Sequence, residues 1–394
     1  MARILVLDGH SAAALAVTRS AGQAGHWVAV GANRGIFAAA KLSRFCQASF
    51  DYPISTDDAD AFAESVLEFV RKNAIDLVVP ITDWTLGPLS THRDRFDGRL
   101  ALPPHNALQA AADKHQTVQL ARSLGIEVPR TWLIESVEDL GAVGQLSFPV
   151  VVKDRFSVRW FGNKAVFGSV TYAYSQSDLE NEVPKRLHAA GDVLVQEFVS
   201  GLGIGFSCFV VGGEAFLPFE WQRIREVDPR GSGSSCRKSI PLDEQLGSLS
   251  SRLISSVGFQ GIAMVEYKKT KDGRMVLMEI NGRPWGSIAL PIASGIDYPR
   301  YLIDWHLSGQ SPPKYIAYDT AITCRRMVSE LSHLSNLRAG KPVQWPGEYP
   351  SLWGSLLRIA VPWYPGMRYD DLWLSDLRPG VAEIKNRLRR TRSD

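Results

Sequence analysis

Apolar and polar residues alternate in blocks along the first hundred residues of the chain. The runs RILVL (3–7), HWVAVGA (26–32) and IDLVVPI (75–81) have the length of buried strands, and alanine-rich or amphipathic stretches separate them. Strands that alternate with helices predict a parallel, doubly wound sheet. We therefore expect an α/β fold that begins with a Rossmann-like domain over residues 1–105.

The loop after the first strand, DGHSAAAL (8–15), lacks the glycine spacing of a dinucleotide site. In G-x-G-x-x-G, the glycines let the backbone approach a pyrophosphate. Without them, the sequence favours a structural or substrate-binding role for this loop over cofactor binding.

The middle of the chain predicts further strands, three helices and two loops. Residues 102–129 predict a linker and one helix, because a Gly stop with Pro beyond it follows the helical pattern. RFSVRWFGNKAVF (155–167) is typical of a mobile loop, and REVDPRGSGSSCRKS (225–239) of a Gly/Ser-rich basic loop. Helices are expected near 244–257 and 289–308.

The stretch GIAMVEYKKTKDGRMVLMEINGRPWGS (261–287) predicts a β-hairpin with its turn at Asp272-Gly273. That turn sets a register in which Lys268 faces Leu277 and Glu266 faces Glu279. Like charges that face each other across two strands are destabilising. The pair therefore needs an explanation.

A divalent cation between the carboxylates would provide one. Glu266, Glu279 and Asn281 offer oxygen ligands on one face of the hairpin, and Mg²⁺ prefers oxygen ligands together with substrate phosphates. Met264 and Leu277, predicted on the same face, are apolar, which favours an inward-facing metal site over solvated glutamates paired with lysines.

Arg283 follows Asn281 by two residues and is the candidate catalytic residue. A guanidinium beside a bound phosphate stabilises developing negative charge through several N–H donors.

Composition limits the class of protein. The chain has 394 residues, of which 45% are hydrophobic and 22% charged, and a net charge of +3 is too small to indicate a nucleic-acid partner. No apolar run of about 18 residues predicts a membrane span. Four scattered cysteines without C-x-x-C spacing favour reduced thiols and a cytoplasmic location.

MEINGRPWGS (278–287) resembles the metal-binding signature of the ATP-grasp superfamily, Glu-x-Asn-x-Arg after an upstream Glu on the paired strand. The continuation WGSIALPIASGIDYP (285–299) resembles the carboxylate–amine (and thiol) ligase branch. The resemblance implies a lid subdomain over 106–195, a metal-bearing subdomain over 196–310, and a C-terminal extension over 311–394.

The resemblance also implies nucleotide contacts. Lys114 in AADKHQ and Lys153 in PVVVKD match lysines that contact phosphates in relatives. Glu197, Phe198 and Val199 match the hinge that holds adenine, Phe198 with its side chain in the core. Two features depart from the family: GLGIGFS (201–207) replaces an acidic ribose ligand, and 155–167 lacks the glycine-rich lid pattern. Lys164 or Asn163 is a candidate for the lid's phosphate contacts.

The implied activity is an ATP-dependent ligase that joins a small-molecule carboxylate to an amine through an acyl phosphate, with Mg²⁺ or Mn²⁺. The alternative is an ATP-grasp kinase that uses the same metal face. The sequence leaves the acid and the amine open, and a homodimer is the default expectation.

The sequence leaves two possible roles open for a basic segment and for an aromatic segment. Arg223, Arg225, Arg237 and Lys238 are either a site for an anionic substrate or a flexible surface loop. The Trp/Pro-rich residues 310–394 are a cap on the core or a partner surface, and their basic end, EIKNRLRRTRSD (383–394), favours a solvated helix end over an anionic membrane contact.

Overall fold

The computed structural model describes residues 1–390, apart from the side chains of Ala190 and Arg390. Residues 391–394, the last part of the predicted basic tail, lie outside the described residues.

Four parallel strands form the N-terminal sheet, in the order β3-β2-β1-β4, as the alternation of strands and helices predicts. The strands are β1 (Arg3–Val6), β2 (Trp27–Asn33), β3 (Cys46–Tyr52) and β4 (Leu77–Val79). The helices are α1 (Ala12–Gln23), α2 (Ala59–Lys72) and α3 (Asp83–Thr91), with 3₁₀ turns at Ala39–Leu42 and Arg93–Phe96. The sequence pattern missed β3, because this edge strand alternates half-buried and exposed positions instead of forming an apolar run.

Two helices, not one, follow the linker: α4 (His105–Ala112) and α5 (Lys114–Ser123). The predicted single helix is wrong because Asp113 adopts an extended conformation, and its carboxylate accepts hydrogen bonds from the backbone N–H groups of His115 and Gln116. A new helix therefore starts at Lys114.

An antiparallel sheet of order β5-β10-β6-β9 comes next, with α6 packed on it. Its elements are β5 (Thr131–Ile134), β6 (Val150–Asp154), β9 (Val170–Ala173), α6 (Gln176–Ala190) and β10 (Val193–Glu197), with a 3₁₀ turn at Val137–Ala142. The expected mobile loop at 155–167 is instead a hairpin of β7 (Val158–Phe161) and β8 (Lys164–Phe167).

The hairpin β7–β8 lies against the N-terminal domain. The Ala59 N–H donates to the Asn163 carbonyl at 3.0 Å, and the Ala165 N–H donates to the Thr56 carbonyl at 2.9 Å. The Asn163 amide also donates to Asp60 Oδ2 at 2.6 Å. These contacts join the hairpin β7–β8 to the segment that leads into α2.

The largest sheet has seven strands in the order β15-β14-β11-β12-β13-β16-β17. Its strands are β11 (Leu202–Val211), β12 (Glu214–Glu226), β13 (Ser234–Ile240), β14 (Gly261–Lys269), β15 (Met275–Asn281), β16 (Thr323–Arg325) and β17 (Met367–Tyr369). The helices around it are α7 (Glu244–Ser256), α8 (Ala289–Ala293), α9 (Tyr298–Ser308), α10 (Met327–Arg338), α11 (Leu352–Ala360) and α12 (Arg378–Arg390). Buried apolar side chains cover both faces of this sheet.

Two expectations about this region are wrong. Most of the predicted basic loop at 225–239 is strand, since β12 and β13 pair with each other. The single helix predicted at 289–308 is two helices, because Gly295 adopts a φ of 107° between α8 and α9.

The C-terminal extension is bound to the rest of the molecule. The strands β16 and β17 extend the large sheet, and the buried guanidinium of Arg19 on α1 donates to the Asp376 carboxylate at 2.9 Å. It also donates to the backbone carbonyls of Asp370 and Asp371. This part of the extension is therefore a cap on the core, whereas Trp353 on α11 is 76% exposed.

No helix within residues 1–390 has the combination of length and apolar character that a membrane crossing requires. The four cysteines are free thiols.

Candidate active site

The hairpin β14–β15 brings the two candidate carboxylates together. Glu266 pairs with Glu279, and Met264 pairs with Asn281, which confirms the predicted register at this end. Near the turn the prediction is wrong by one residue, because Lys268 pairs with Val276 instead of Leu277.

A β-bulge reconciles the two ends of the hairpin. The turn region holds one residue more than expected, with Gly273 at a φ of 89°, and the register shifts back between Leu277 and Glu279, where Met278 is the extra residue. Leu277 therefore pairs with Tyr267 in the core on the other face of the sheet, and the expectation that it flanks the carboxylates is wrong.

The three oxygen-bearing side chains lie close to one another and are partly buried. The Asn281 amide donates to Glu279 Oε1 at 3.1 Å. Burial raises the pKa of Glu266, the Arg223 guanidinium opposes that shift, and Glu279 adds to it. Among the described residues, no group of three or more His, Cys, Asp or Glu side chains is arranged to hold a metal ion.

The two predicted phosphate lysines are brought together by an ion pair. Asp113, just before α5, binds Arg155, just after β6, with oxygen–nitrogen distances of 2.7–3.0 Å. The Lys114 N–H also donates to the Arg155 carbonyl at 3.1 Å. The start of α5 is thereby fixed to the end of β6, where Lys153 lies.

Both lysines have perturbed acidity. Burial and the charge of Lys114 lower the pKa of Lys153 to about 8, and the charge of Glu279 opposes the shift. Burial also lowers the pKa of Lys114, whose ammonium group donates to Ser157 Oγ at 2.9 Å, and Glu279 again opposes the shift. Lys114 and Glu279 both affect the pKa of Lys153, and Glu279 also affects the pKa of Lys114. The two lysines and the Glu279 carboxylate therefore lie close together.

Arg283 is held by the N-terminal domain. Its Nε donates to Asp83 Oδ1 at 3.0 Å. Burial lowers the pKa of Arg283, but Asp83, Glu279 and Asp8 raise it by more, so the net shift is upward. Asp83 was not singled out from the sequence, because 200 positions separate it from Arg283.

The first loop supports this contact. The buried Asp8, with a φ of 57°, accepts hydrogen bonds from the N–H groups of Ile81 and Thr82 and from the Thr85 hydroxyl. These bonds fix the start of α3, which carries Asp83. These contacts of Asp8 agree with the structural role expected for the loop DGHSAAAL.

The predicted adenine hinge lines a cleft of about 290 Å³. The cleft lies between the end of β10 and the turn of the hairpin β14–β15, which we call the metal hairpin after its predicted role. Glu197, Phe198 and Val199 form one wall of this cleft. Phe198 also packs edge-on against Trp345, 5.1 Å between ring centroids, and Trp345 packs on Tyr172 of β9 at 4.9 Å. Trp345 comes from the C-terminal extension, and no sequence signal connected it with the hinge.

A second cavity of about 630 Å³ opens beside the metal hairpin. Its lining includes Asp83, Lys114, Trp160, Glu279 and Asn281, from three different parts of the chain. The space is large enough for a small organic substrate in addition to phosphate groups.

The other basic candidates have different surroundings. Asn163 is at the tip of the hairpin β7–β8, and its amide donates to Asp60. Arg225 binds the buried Glu330 at 2.6 Å, and Arg237 binds Asp370 at 2.6 Å.

The chain is similar to several known proteins. Residues 191–328 match the family described as "ATP-grasp in the biosynthetic pathway with Ter operon". The vancomycin/teicoplanin A-type resistance protein VanA of Enterococcus faecium is 28% identical over 189 residues, which cover 44% of this chain and 52% of VanA. The D-alanine–D-alanine ligase of Stutzerimonas stutzeri is 30% identical over 186 residues, which cover 44% of this chain and 56% of that ligase. The chain spans about half the length of these relatives.

The fold is also found among solved structures. The L-amino acid ligase from Bacillus licheniformis superposes with a TM-score of 0.60 and 16% identity, over 78% of this chain and 74% of that one. Together with the match to residues 191–328, this likeness defines an ATP-grasp fold.

Proposed function

We propose that this protein is an ATP-dependent ligase that joins a small-molecule carboxylate to an amine and releases ADP and phosphate. The observation that carries the proposal is the facing pair Glu266 and Glu279 on neighbouring strands, with Lys114, Lys153 and Arg283 around it.

The donor set suits a hard divalent cation. Two carboxylates and the Asn281 amide provide oxygen ligands, and Mg²⁺ normally completes its shell with water and phosphate oxygens. Glu266, Glu279 and Asn281 would hold Mg²⁺, or Mn²⁺ in its place. When bound, the metal neutralises charge on phosphate oxygens during phosphoryl transfer.

The side chains around the metal face bind and orient the reactants. Lys114 and Lys153 would bind phosphate oxygens of ATP, and the backbone around Glu197, Phe198 and Val199 would hold adenine. One oxygen of the substrate carboxylate attacks the γ-phosphorus, and the bond from that phosphorus to the ADP oxygen breaks. Arg283, oriented by Asp83, would stabilise the negative charge that develops.

The second step forms the new bond. The amine attacks the carbonyl carbon of the acyl phosphate, the carbon–oxygen bond to phosphate breaks, and the amine loses a proton to give an amide. The lid hairpin β7–β8, which rests on the N-terminal domain, would keep water from the acyl phosphate. The D-alanine–D-alanine ligase and the L-amino acid ligase support an amino-acid substrate.

We also propose the division into residues 1–105, 106–195, 196–310 and 311–394. Separate sheets support the first three segments, whereas the last adds β16 and β17 to the sheet of the third. A cytoplasmic location, supported by four unpaired thiols, and a homodimer stay predictions. Analytical ultracentrifugation tests the dimer.

The function is tested by product analysis. Purified protein, Mg²⁺ and ATP are incubated with pools of amino acids and other small carboxylic acids, with hydroxylamine as the surrogate amine. We expect carboxylate-dependent ADP together with a hydroxamate, and splitting the pool identifies the acid. A phosphorylated alcohol without hydroxamate would instead establish the kinase, and AMP with pyrophosphate would establish adenylation.

A matched pair of variants connects the products with the metal face. Glu279→Gln should lose ADP formation by at least about 100-fold, because a metal contributes several kcal/mol to the transition state. Glu214→Gln, an exposed glutamate paired with Lys314, should behave like the wild type.

A further inference from the structure

A salt bridge reaches the metal face from two strands away. In the large sheet, β11 lies between β12 and β14. Arg223 on β12 nevertheless donates through Nη2 to Glu266 Oε2 on β14 at 2.5 Å. The distance across two strand spacings is about 9.5 Å, so the arginine side chain must pass over β11.

Two glycines of β11 make this crossing possible. Gly203 pairs with Lys268, and Gly205 pairs with Glu266, so both lie beside the metal strand. A Cβ atom on Gly203 would lie 2.5 Å from Cδ of Arg223. On Gly205, it would lie 2.1 Å from Cε2 of Trp221. Both glycines belong to GLGIGFS (201–207). Arg223 lies in the space left by the missing side chain of Gly203, which we call the trough, and Trp221 fills the space beside it at Gly205.

The arginine is anchored at both ends of its guanidinium. Besides Glu266, it donates through Nη1 to Glu226 Oε1 at 3.2 Å, and Lys268 binds the same carboxylate oxygen at 3.2 Å. The Arg223 side chain is only 12% exposed. Glu226, Lys268 and the trough therefore hold Arg223 in one position beside Glu266.

We propose that Arg223 is a positioning residue of the metal site, which fixes Glu266 through Oε2 so that Oε1 serves the metal. The inference rests on the proposed function. Without Arg223, Glu266 would face Glu279 with no cation on its other side, and like charges at that distance repel. Partners that orient a ligand carboxylate are typically worth about 10- to 100-fold in metal affinity.

The competing role for the same contact is a resting counter-ion. In that case Arg223 pairs with Glu266 only while Mg²⁺ is not bound, and metal binding must break this ion pair. The two roles predict opposite effects on metal affinity when the arginine is removed, and a merely structural role predicts no effect beyond stability.

Mn²⁺ binding distinguishes these roles. Electron paramagnetic resonance measures free Mn²⁺ in a titration of the full chain with ADP present, and circular dichroism confirms folding. Arg223→Gln should weaken Mn²⁺ binding by about 10- to 100-fold, and Arg223→Lys should restore part of the loss. Arg300→Gln, an exposed arginine on α9 paired with Asp304, should bind like the wild type.

Equal or tighter binding by Arg223→Gln would overturn the inference, and tighter binding would establish the counter-ion. If the wild-type protein binds no Mn²⁺ with ADP, the proposed function fails and the inference fails with it.

A glycine variant tests the trough independently. Gly203→Ala should displace Arg223 and weaken Mn²⁺ binding in the same direction, whereas Gly233→Ala, which has no atom within 4 Å of its new methyl group, should not. Wild-type binding by a folded Gly203→Ala protein would contradict the trough.

Discussion

Lys153 lies at the end of β6, buried next to a second cation, Lys114. Its pKa of about 8 means that the ammonium group loses its proton as the pH rises through the slightly alkaline range. A bound phosphate favours the protonated form, so nucleotide binding should involve proton uptake above pH 8.

We therefore predict that ADP affinity falls by about tenfold between pH 7.5 and pH 9.5, since affinity carried by a cation declines above its pKa. Lys153→Arg keeps its charge and should show a shallower decline. It should not be flat, because the pKa of Lys114 is lowered as well. Isothermal titration calorimetry at each pH measures this, and identical slopes for both proteins would show that Lys153 does not titrate at the site.

Site residues that are close together in the sequence could be predicted from their spacing, whereas those far apart in the sequence could not. Glu279, Asn281 and Arg283 follow one another at intervals of two residues, at the end of β15 and just beyond it. They could therefore be proposed together. Asp83 and Trp345 reach the site from distant parts of the chain and have no motif of their own. Their contacts depend on the tertiary fold.

Among the elements, the metal hairpin shows how a register can be right at one end and wrong at the other. The turn signal at Asp272-Gly273 was correct, but the loop is longer than two residues. The bulge at Met278 compensates for the extra residue and returns Glu279 to a position opposite Glu266. Sequence patterns give the alternation of faces but do not locate a bulge.

Deleting Met278 should therefore leave the metal face intact, whereas deleting Ile280 should disrupt it. Without the extra residue, Glu279 follows Leu277 directly and stays opposite Glu266 in an uninterrupted register. Without Ile280, Asn281 follows Glu279 directly and turns to the opposite face, since side chains alternate along a strand. We expect ADP formation close to the wild-type level for the first variant and a clear loss for the second, with circular dichroism to confirm that both fold. Loss of ADP formation by a folded Met278 deletion would show that the bulge itself positions Glu279.

At the scale of the whole molecule, the C-terminal extension both caps the core and contacts the predicted adenine hinge. Residues 311–394 supply two strands to the large sheet, and their Trp345 contacts both Phe198 at the hinge and Tyr172 on the lid sheet. Composition alone left this region as either a cap or a partner surface, because tryptophan and proline suit both. The contacts of Arg19 and Trp345 favour the cap for the parts that carry them.

Trp345→Ala should lower both stability and nucleotide affinity. Trp345 is 4% exposed, and truncating a buried tryptophan costs about 3 kcal/mol or more. The loss of its edge-to-face contacts with Phe198 at the hinge and with Tyr172 on β9 should weaken ADP binding at least about threefold. Trp345→Phe should retain most of both properties. Urea unfolding and calorimetry separate the effects, and unchanged ADP affinity in the alanine variant would limit Trp345 to stability.

The central claim is that a substrate carboxylate attacks the γ-phosphate, and oxygen transfer tests it most directly. The acid identified by hydroxamate trapping is labelled with ¹⁸O in its carboxylate and incubated with ATP, Mg²⁺ and the amine. Mass spectrometry then shows where the label goes. We expect one ¹⁸O atom in the released inorganic phosphate, and no labelled phosphate with the Glu279→Gln protein, which should not turn over. Label in AMP, or released phosphate without ¹⁸O, would contradict the claim.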